Sequence, residues 1–271
     1  MISGFLCPVC GQLLKESDGS FECCSGHCFD KARSGYVNLL INGGKKGHGD
    51  NKIMISARHN FLKKGYYKDF RNSLCSEVRK YAEKNTSLLD SGCGDGYYTS
   101  GMCSVVSDSK GGEVYAIDVS KEALKIAAKN CPNVSFAVAS AYKLPFEKEC
   151  FDIVTSLFAP LSLNEFYRVL KKSGIFITAI PLENHLYQLK QAVYDAPYKN
   201  KPESTEIKGF ELLNSQEVRK EIQLENNEDI KNLFMMTPYY YKTSSSDQKK
   251  LDSLEKLTTD TEFLILTYKK I

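Results

Sequence analysis

An α/β fold built on a mainly parallel sheet, preceded by a small cysteine-rich unit, is predicted by three features of the sequence. From Asn51 onward, short apolar runs alternate with stretches of ten or so residues at helical spacing. That alternation implies βαβ units, whose sheet is covered by helices on both faces. Five of the ten cysteines fall in the first 28 residues, where no helical period is present. Between the two regions, Asn42-Gly43-Gly44-Lys45-Lys46-Gly47-His48-Gly49-Asp50 has the polar, glycine-rich composition of a flexible linker. The predicted divisions are therefore 1–36 for the cysteine-rich unit, 37–60 for a linker and the start of a connecting helix, and 61–271 for the α/β domain.

The elements follow in order. Ile53–Lys64 reads as a helix, and Tyr67–Lys84 as another with Phe70, Leu74, Val78 and Tyr81 at helical spacing. Strands are predicted at Ser87–Asp90, Glu113–Asp118, Val134–Ala139, Phe151–Ser156 and Ile175–Ile180, with a final strand at Phe263–Lys269. Helices are predicted between them at Tyr98–Val106, Lys121–Asn130 and Leu163–Leu170, and later at Leu182–Tyr194 and Asn227–Phe234.

Composition excludes several classes. The 271 residues are 42% apolar and 25% charged, which fits a globular protein and not a disordered or fibrous one. The apolar runs Ile175–Pro181 and Phe263–Thr267 are far shorter than the roughly 20 residues of a membrane span. The start of the chain has neither a basic stretch nor an extended apolar one, so no signal peptide is expected and a cytoplasmic location is. Net charge is +3, too mild to indicate a nucleic-acid partner by itself. Its distribution is uneven: residues 1–70 carry ten Lys or Arg against six acids, and the remainder is nearly balanced.

Cys7-Pro8-Val9-Cys10-Gly11 is a CxxC knuckle, followed after twelve residues by Cys23 and then His27. Three thiolates and an imidazole suit tetrahedral Zn²⁺. A unit of about 36 residues buries too little apolar surface to fold alone, so the metal would supply folding free energy. Cys24 and Cys28 also lie within reach of the same site, as alternatives to Cys23 and His27. A closed four-ligand zinc site is structural; surrounded by the basic excess, it presents an expected RNA surface.

Leu88-Leu89-Asp90-Ser91-Gly92-Cys93-Gly94-Asp95-Gly96 stands between a predicted strand and a predicted helix, and Asp118 closes the next strand 22 residues later. Gly92 and Gly94 let backbone approach a ligand, and a carboxylate at Asp118 can accept hydrogen bonds from ribose hydroxyls. The Gly-x-Gly-x-Gly spacing with Asp90 ahead of it resembles the S-adenosylmethionine loop of class I methyltransferases more than a dinucleotide loop. Ser140 and Ala141 stand where many such enzymes carry an acid near adenine. Phe158-Ala159-Pro160 follows the fourth strand, at the carboxyl end where open parallel sheets present their sites.

Taken together, the chain resembles end to end the bacterial 23S ribosomal RNA guanine-N1-methyltransferases of the A type. The resemblance is carried by Cys7-Pro8-Val9-Cys10, Cys23 with His27, Phe29-Asp30, Gly35-Tyr36-Val37-Asn38-Leu39-Leu40 and Gly49-Asp50. Met54, Ala57-Arg58, Gly92 to Thr99, Asp118 to Lys121, Ala159-Pro160 and Met236-Thr237-Pro238 carry it further. It implies a Rossmann-like, mainly parallel, seven-stranded sheet behind an N-terminal zinc ribbon. It implies one structural Zn²⁺ on Cys7, Cys10, Cys23 and His27, in preference to Cys24 or Cys28. It implies an S-adenosylmethionine site lined by Tyr67, Gly94, Asp95 and His185, to which the loop reading adds Asp90, Gly92, Cys93, Gly96 and Asp118. The implied substrate is a guanine in a hairpin loop of 23S rRNA, near the tunnel region where macrolide-type antibiotics bind, which raises resistance as an expectation. Phe158, with Ala159 and Pro160, is the candidate platform for the target base; no general base is named. A homodimer whose ribbon grips RNA held by its neighbour is an arrangement the sequence admits. The alternative activity is methylation of a small molecule, with the ribbon purely structural and charge reversal at Lys45 or Lys46 without effect.

Overall fold

The structure is a computed structural model that describes residues 4–41, 51–109, 111–201 and 204–271. Lys45, Lys46, Gly49 and Asp50, which carry part of the basic excess and of the resemblance, lie outside the described residues.

The cysteine-rich unit is a three-stranded antiparallel sheet of β1 (Lys15–Ser17), β2 (Ser20–Glu22) and β3 (Cys28–Asp30). It does not stand apart. The Leu6 amide donates to the Pro145 carbonyl at 2.8 Å, and the Phe5 ring is buried 5.4 Å from both Tyr115 and Phe146. The chain then enters the main sheet directly, as β4 (Tyr36–Asn38), before α1 (Lys52–Lys63) and α2 (Lys68–Tyr81).

The α/β domain continues through β5 (Ser87–Ser91), α3 (Tyr97–Asp108), β6 (Glu113–Asp118), α4 (Lys121–Asn130), β7 (Ser135–Val138), β8 (Phe151–Leu157), α5 (Leu163–Val169) and β9 (Leu170–Pro181). Then come α6 (Tyr187–Val193), β10 (Phe210–Leu224), α7 (Asn227–Met235), α8 (Tyr239–Lys242), α9 (Ser245–Lys249) and β11 (Leu257–Lys270). The sheet order is β10-β11-β9-β8-β5-β6-β7-β4, with β11 antiparallel to both of its neighbours and the pairs from β9 to β4 all parallel. The order reverses between β5 and β8, and a ligand crevice is expected above the carboxyl ends of those two strands.

The predicted seven strands are therefore eight. The added one, β4, begins one residue before the predicted linker: Tyr36 and Val37 are buried, and their backbone pairs with β7. Buried apolar side chains and an unpaired sheet edge bring this segment into the core. The predicted helix at Leu182–Tyr194 begins only at Tyr187, because Leu186 turns left-handed at φ 56° while its amide donates to the Asp260 carbonyl. His185 thus sits in a turn. The fifteen-residue β10 has no counterpart in the predicted elements; its mostly polar, exposed residues belong to an edge strand with little apolar alternation.

α1 is fixed at both of its ends. Asn51 caps it, its side-chain oxygen accepting from the Met54 amide at 2.9 Å. At its other end Lys64 and Tyr66 donate to the two oxygens of buried Asp229, at 2.5 and 2.7 Å, which ties α1 to α7. No helix among the described residues is long and apolar enough to cross a membrane.

Removing the Phe5 ring would leave a hole between ribbon and domain. Phe5→Ala is expected to cost about 3 kcal/mol in urea denaturation, and to raise amide exchange in residues 4–30 beyond that in β5 and β6.

Candidate methyl-donor site and zinc cluster

Two turns of the ribbon deliver two ligands each to a common point: Cys7 and Cys10 from one, Cys23 and His27 from the other. Cys7, Cys10, Cys23 and His27 hold their ligand atoms within 4.8 Å of one another. Cys10 Sγ lies 3.6 Å from Cys23 Sγ, and His27 Nδ1 lies 3.3 Å from Cys23 Sγ and 3.7 Å from Cys7 Sγ. Zn–S bonds of about 2.3 Å at tetrahedral angles require sulfurs about 3.7 Å apart, so the cluster fits the ion. Burial pushes the Cys23 thiol up, but hydrogen bonds from the His27 backbone and ring and from Ser25 outweigh it and bring it down to about 6. A thiolate is the form a metal needs. Cys24 instead donates to Gln12 Oε1 at 3.0 Å, and Cys28 is exposed on β3; neither joins the cluster.

The second site forms where β5 ends. The Gly92 and Cys93 amides both donate to the Ile117 carbonyl, at 2.8 and 3.0 Å, which folds the turn against β6. Gly92 has φ +82°, and a Cβ there would lie 2.4 Å from the Ala159 side chain. The loop after β8 therefore rests directly on the glycine turn. Gly96, at φ +80°, starts α3 and packs against Ala127 of α4 with no room for a side chain.

Asp90 lies beneath the loop and is buried. Thr99 of α3 and Thr155 of β8 donate to its two oxygens at 2.6 and 2.8 Å. Burial raises it to about 6 against the lowering effect of these hydroxyls, with Asp118 adding to the rise. Asp90 is thus a support for the loop, its oxygens engaged by the protein rather than presented to a ligand. Asp118 accepts from the Gly94 amide at 2.9 Å on one oxygen and from the Ser120 amide at 2.8 Å on the other. Asp118 thus stands at the end of β6 beside the loop, where a carboxylate is suited to ribose hydroxyls. Burial pushes the Cys93 thiol well up, which leaves it a packing group.

Tyr67 and His185, far apart in sequence, meet in an aromatic cluster. Their ring centroids are 6.5 Å apart, and Phe263 of β11 lies 5.2 Å from Tyr67 and 4.4 Å from His185. Phe158 joins them, 5.3 Å from Phe263 and 6.2 Å from Tyr98, yet remains 49% exposed with φ +55°. His185 Nδ1 accepts from the Glu262 amide at 3.1 Å, so its neutral ring carries the proton on Nε2. Burial, with Lys190 nearby, lowers it to about 3. Asp95 pairs with His59 of α1, Oδ2 to Nδ1 at 2.9 Å, and Arg58 reaches from the same helix to the Met236 carbonyl at 3.4 Å.

These residues fit S-adenosylmethionine. A sulfonium is favoured beside neutral aromatic faces, and ribose hydroxyls match the Asp118 carboxylate. Two buried hydroxyls without a partner among the described residues, Ser91 Oγ and Ser156 Oγ, mark the carboxyl ends of the same central strands. His59, Arg58 and Phe263 were not among the predicted site residues. His59 and Phe263 reach the site through long-range packing, which leaves no local pattern, whereas Arg58 carried the resemblance without a role.

Asp90 and His185 act oppositely on stability. Between about pH 4 and 6 the folded state binds more protons at Asp90 than the unfolded chain does, so this group's stabilisation falls as pH rises. Between about pH 3 and 6.5 the unfolded chain binds more protons at His185, so that contribution rises with pH. Asp90→Asn is expected to steepen the loss of stability on acidification by roughly 3 kcal/mol from pH 7 to 4, and His185→Gln to flatten it by a similar amount. Urea midpoints across that range check both signs. Cys10→Ser is expected to lose most bound zinc, measured by atomic emission, while S-adenosylmethionine still binds in calorimetry.

The family described as "Methyltransferase domain" matches residues 82–254, and that described as "RlmA, N-terminal", a zinc ribbon, matches residues 5–46. A Bacillus subtilis (strain 168) protein, YxjB, provisionally named a 23S rRNA (guanine-N(1)-)-methyltransferase, is 29% identical over 97% of this chain and 96% of its own. A Micromonospora griseorubida protein provisionally named for the same activity is 34% identical over 68% of this chain and 67% of its own. In fold, the chain is similar to a Bacillus halodurans C-125 protein described as a methyltransferase, with a TM-score of 0.50 and 18% identity over 73% of this chain and 99% of that one. With its ribbon, its glycine loop and these relatives, the chain belongs to the zinc-ribbon family of S-adenosylmethionine-dependent 23S rRNA (guanine-N1)-methyltransferases.

Proposed function

We propose that the chain methylates N1 of one guanine in a hairpin loop of 23S rRNA, in the cytoplasm, with Cys7, Cys10, Cys23 and His27 holding a structural zinc. The observation that carries this reading is a zinc-type cluster docked, through Phe5, on the same domain that presents the methyl-donor loop. A small-molecule enzyme would have no evident use for a second, metal-built surface.

Bound S-adenosylmethionine supplies an electrophilic methyl group on a sulfonium. Gly92 and Gly94 bring backbone close to it, Asp118 takes its ribose hydroxyls, and Tyr67 and His185 flank it with uncharged rings. A protonated His185 would repel the sulfonium; burial keeps the ring neutral throughout the neutral range. The target N1 would bond to the methyl carbon as the carbon–sulfur bond breaks, the electron pair going to a neutral thioether leaving group and the N1 proton to water. Placement of the two reactants is then the main task, worth roughly 7–11 kcal/mol in favourable cases.

Phe158 is the proposed platform for the base. Its ring is supported from behind by Phe70 and Phe263, at 5.5 and 5.3 Å, and its other side is open. A loop base can be splayed from its neighbours and stacked on such a ring at a cost of a few kcal/mol.

Primer extension across 23S rRNA, after incubation with protein and S-adenosylmethionine, should show one new stop beside a hairpin-loop guanine, because a methyl at N1 blocks pairing. No stop, with cofactor binding intact, would redirect the activity to small molecules. Phe158→Ala should lower kcat/KM for RNA about tenfold to a hundredfold, with a smaller change in cofactor affinity.

A further inference from the structure

We infer that the groove between α1 and α7 holds a second nucleobase of the RNA, next to but distinct from the methylated one. This rests on the rRNA reading above. A cavity of about 310 Å³ opens between the two helices, lined by Lys52, Ile53, Ala57 and Asn60 of α1 and by Asn232 and Met235 of α7. Asn232 is only 5% exposed, and among the described residues its side-chain nitrogen has no hydrogen-bond partner. A buried amide left unpaired is unfavourable, and in a folded protein it ordinarily has a partner.

The chemistry of the cavity selects the occupant. A carboxamide presents one donor face and one acceptor in a plane, which complements the edge of a base; Asn with adenine is the familiar bidentate pair. Ile53, Ala57 and Met235 supply apolar surface for the faces of a flat ring. Lys52, exposed in the first turn of α1, is placed for the phosphate of the same nucleotide.

The location fits one continuous strand. Arg58, adjacent to Ala57 in the cavity wall, reaches the carbonyl of Met236, adjacent to Met235, while its Nη1 lies 3.9 Å from where a Cβ on Gly94 would stand. The cavity and the methyl-donor loop therefore both adjoin α1. RNA whose target base enters the donor site passes within reach of the groove.

The test uses the full-length protein, zinc-loaded, and a synthetic hairpin carrying the guanine that primer extension identifies. Wild-type protein should lose about tenfold in KM when one particular nucleotide near the target is made abasic. Asn232→Leu should raise KM for the intact hairpin by a similar factor, leave cofactor affinity unchanged and not lower the melting temperature. The abasic penalty should vanish in that variant, and Lys52→Gln should reduce the salt dependence of binding. An unchanged KM in Asn232→Leu, or an abasic penalty that persists in it at every position, would mean that water satisfies the amide, and the inference falls. If wild-type protein methylates no RNA, it is the rRNA reading that has failed instead.

Discussion

The turn after β5 has no space for a side chain at Gly92, and the arrangement of the site follows from that. Gly92 is pressed against Ala159 and Gly96 against Ala127, so the β5 turn, the loop after β8 and the second half of α4 meet at close range. Ile117 accepts two amides from the turn and Asp118 a third from Gly94, which joins β6 to the same junction. A Cβ at Gly92 would displace the segment that carries Phe158. The candidate base platform and the methyl-donor loop are thus a single packed unit.

Asp90 holds this unit from below, at a cost in solvation. A carboxylate removed from water is unfavourable, and two threonine hydroxyls offset only part of that. Its geometry explains why the group is tolerated: the two oxygens tie α3 to β8 across the strand between them. The same logic applies to Asp229, which fastens the α1–α2 corner to α7. Buried carboxylates here connect elements that apolar packing alone would leave free to slide.

The ribbon, the glycine loop and most of the central strands were legible in the sequence because each rests on local signals. CxxC spacing, glycines after an apolar run and short apolar segments need no distant partner to be recognised. Lys121–Asn130 coincides with α4, and Glu113–Asp118 with β6. What escaped was what depends on remote contacts. β10 is a polar edge strand whose identity comes from pairing with β11, and β4 is three residues whose strand character comes from β7. The His59–Asp95 pair joins residues 36 apart, and the turn at His185 is set by backbone bonds to Asp260 and Glu262. Tyr67 and His185 were named only through the family resemblance. Their meeting around Phe263 supplies the physical reason for that pairing.

His185 shows how the fold and the proposed chemistry constrain each other. An imidazole in water is partly protonated near neutral pH, and a positive ring would oppose a sulfonium. The turn at 182–186 points Nδ1 at the Glu262 amide, a donor that no proton on that nitrogen could face, and burial among Phe263, Tyr67 and Leu186 removes the solvent that would stabilise the charge. Both effects disfavour the cation, and neither requires an ionic partner. The stretch of chain that departs from its predicted helix is therefore the stretch that fixes the ring's tautomer. An uninterrupted helix from Leu182 would commit the backbone of this segment to its own turns and lose the bonds to β11 that hold His185 in place.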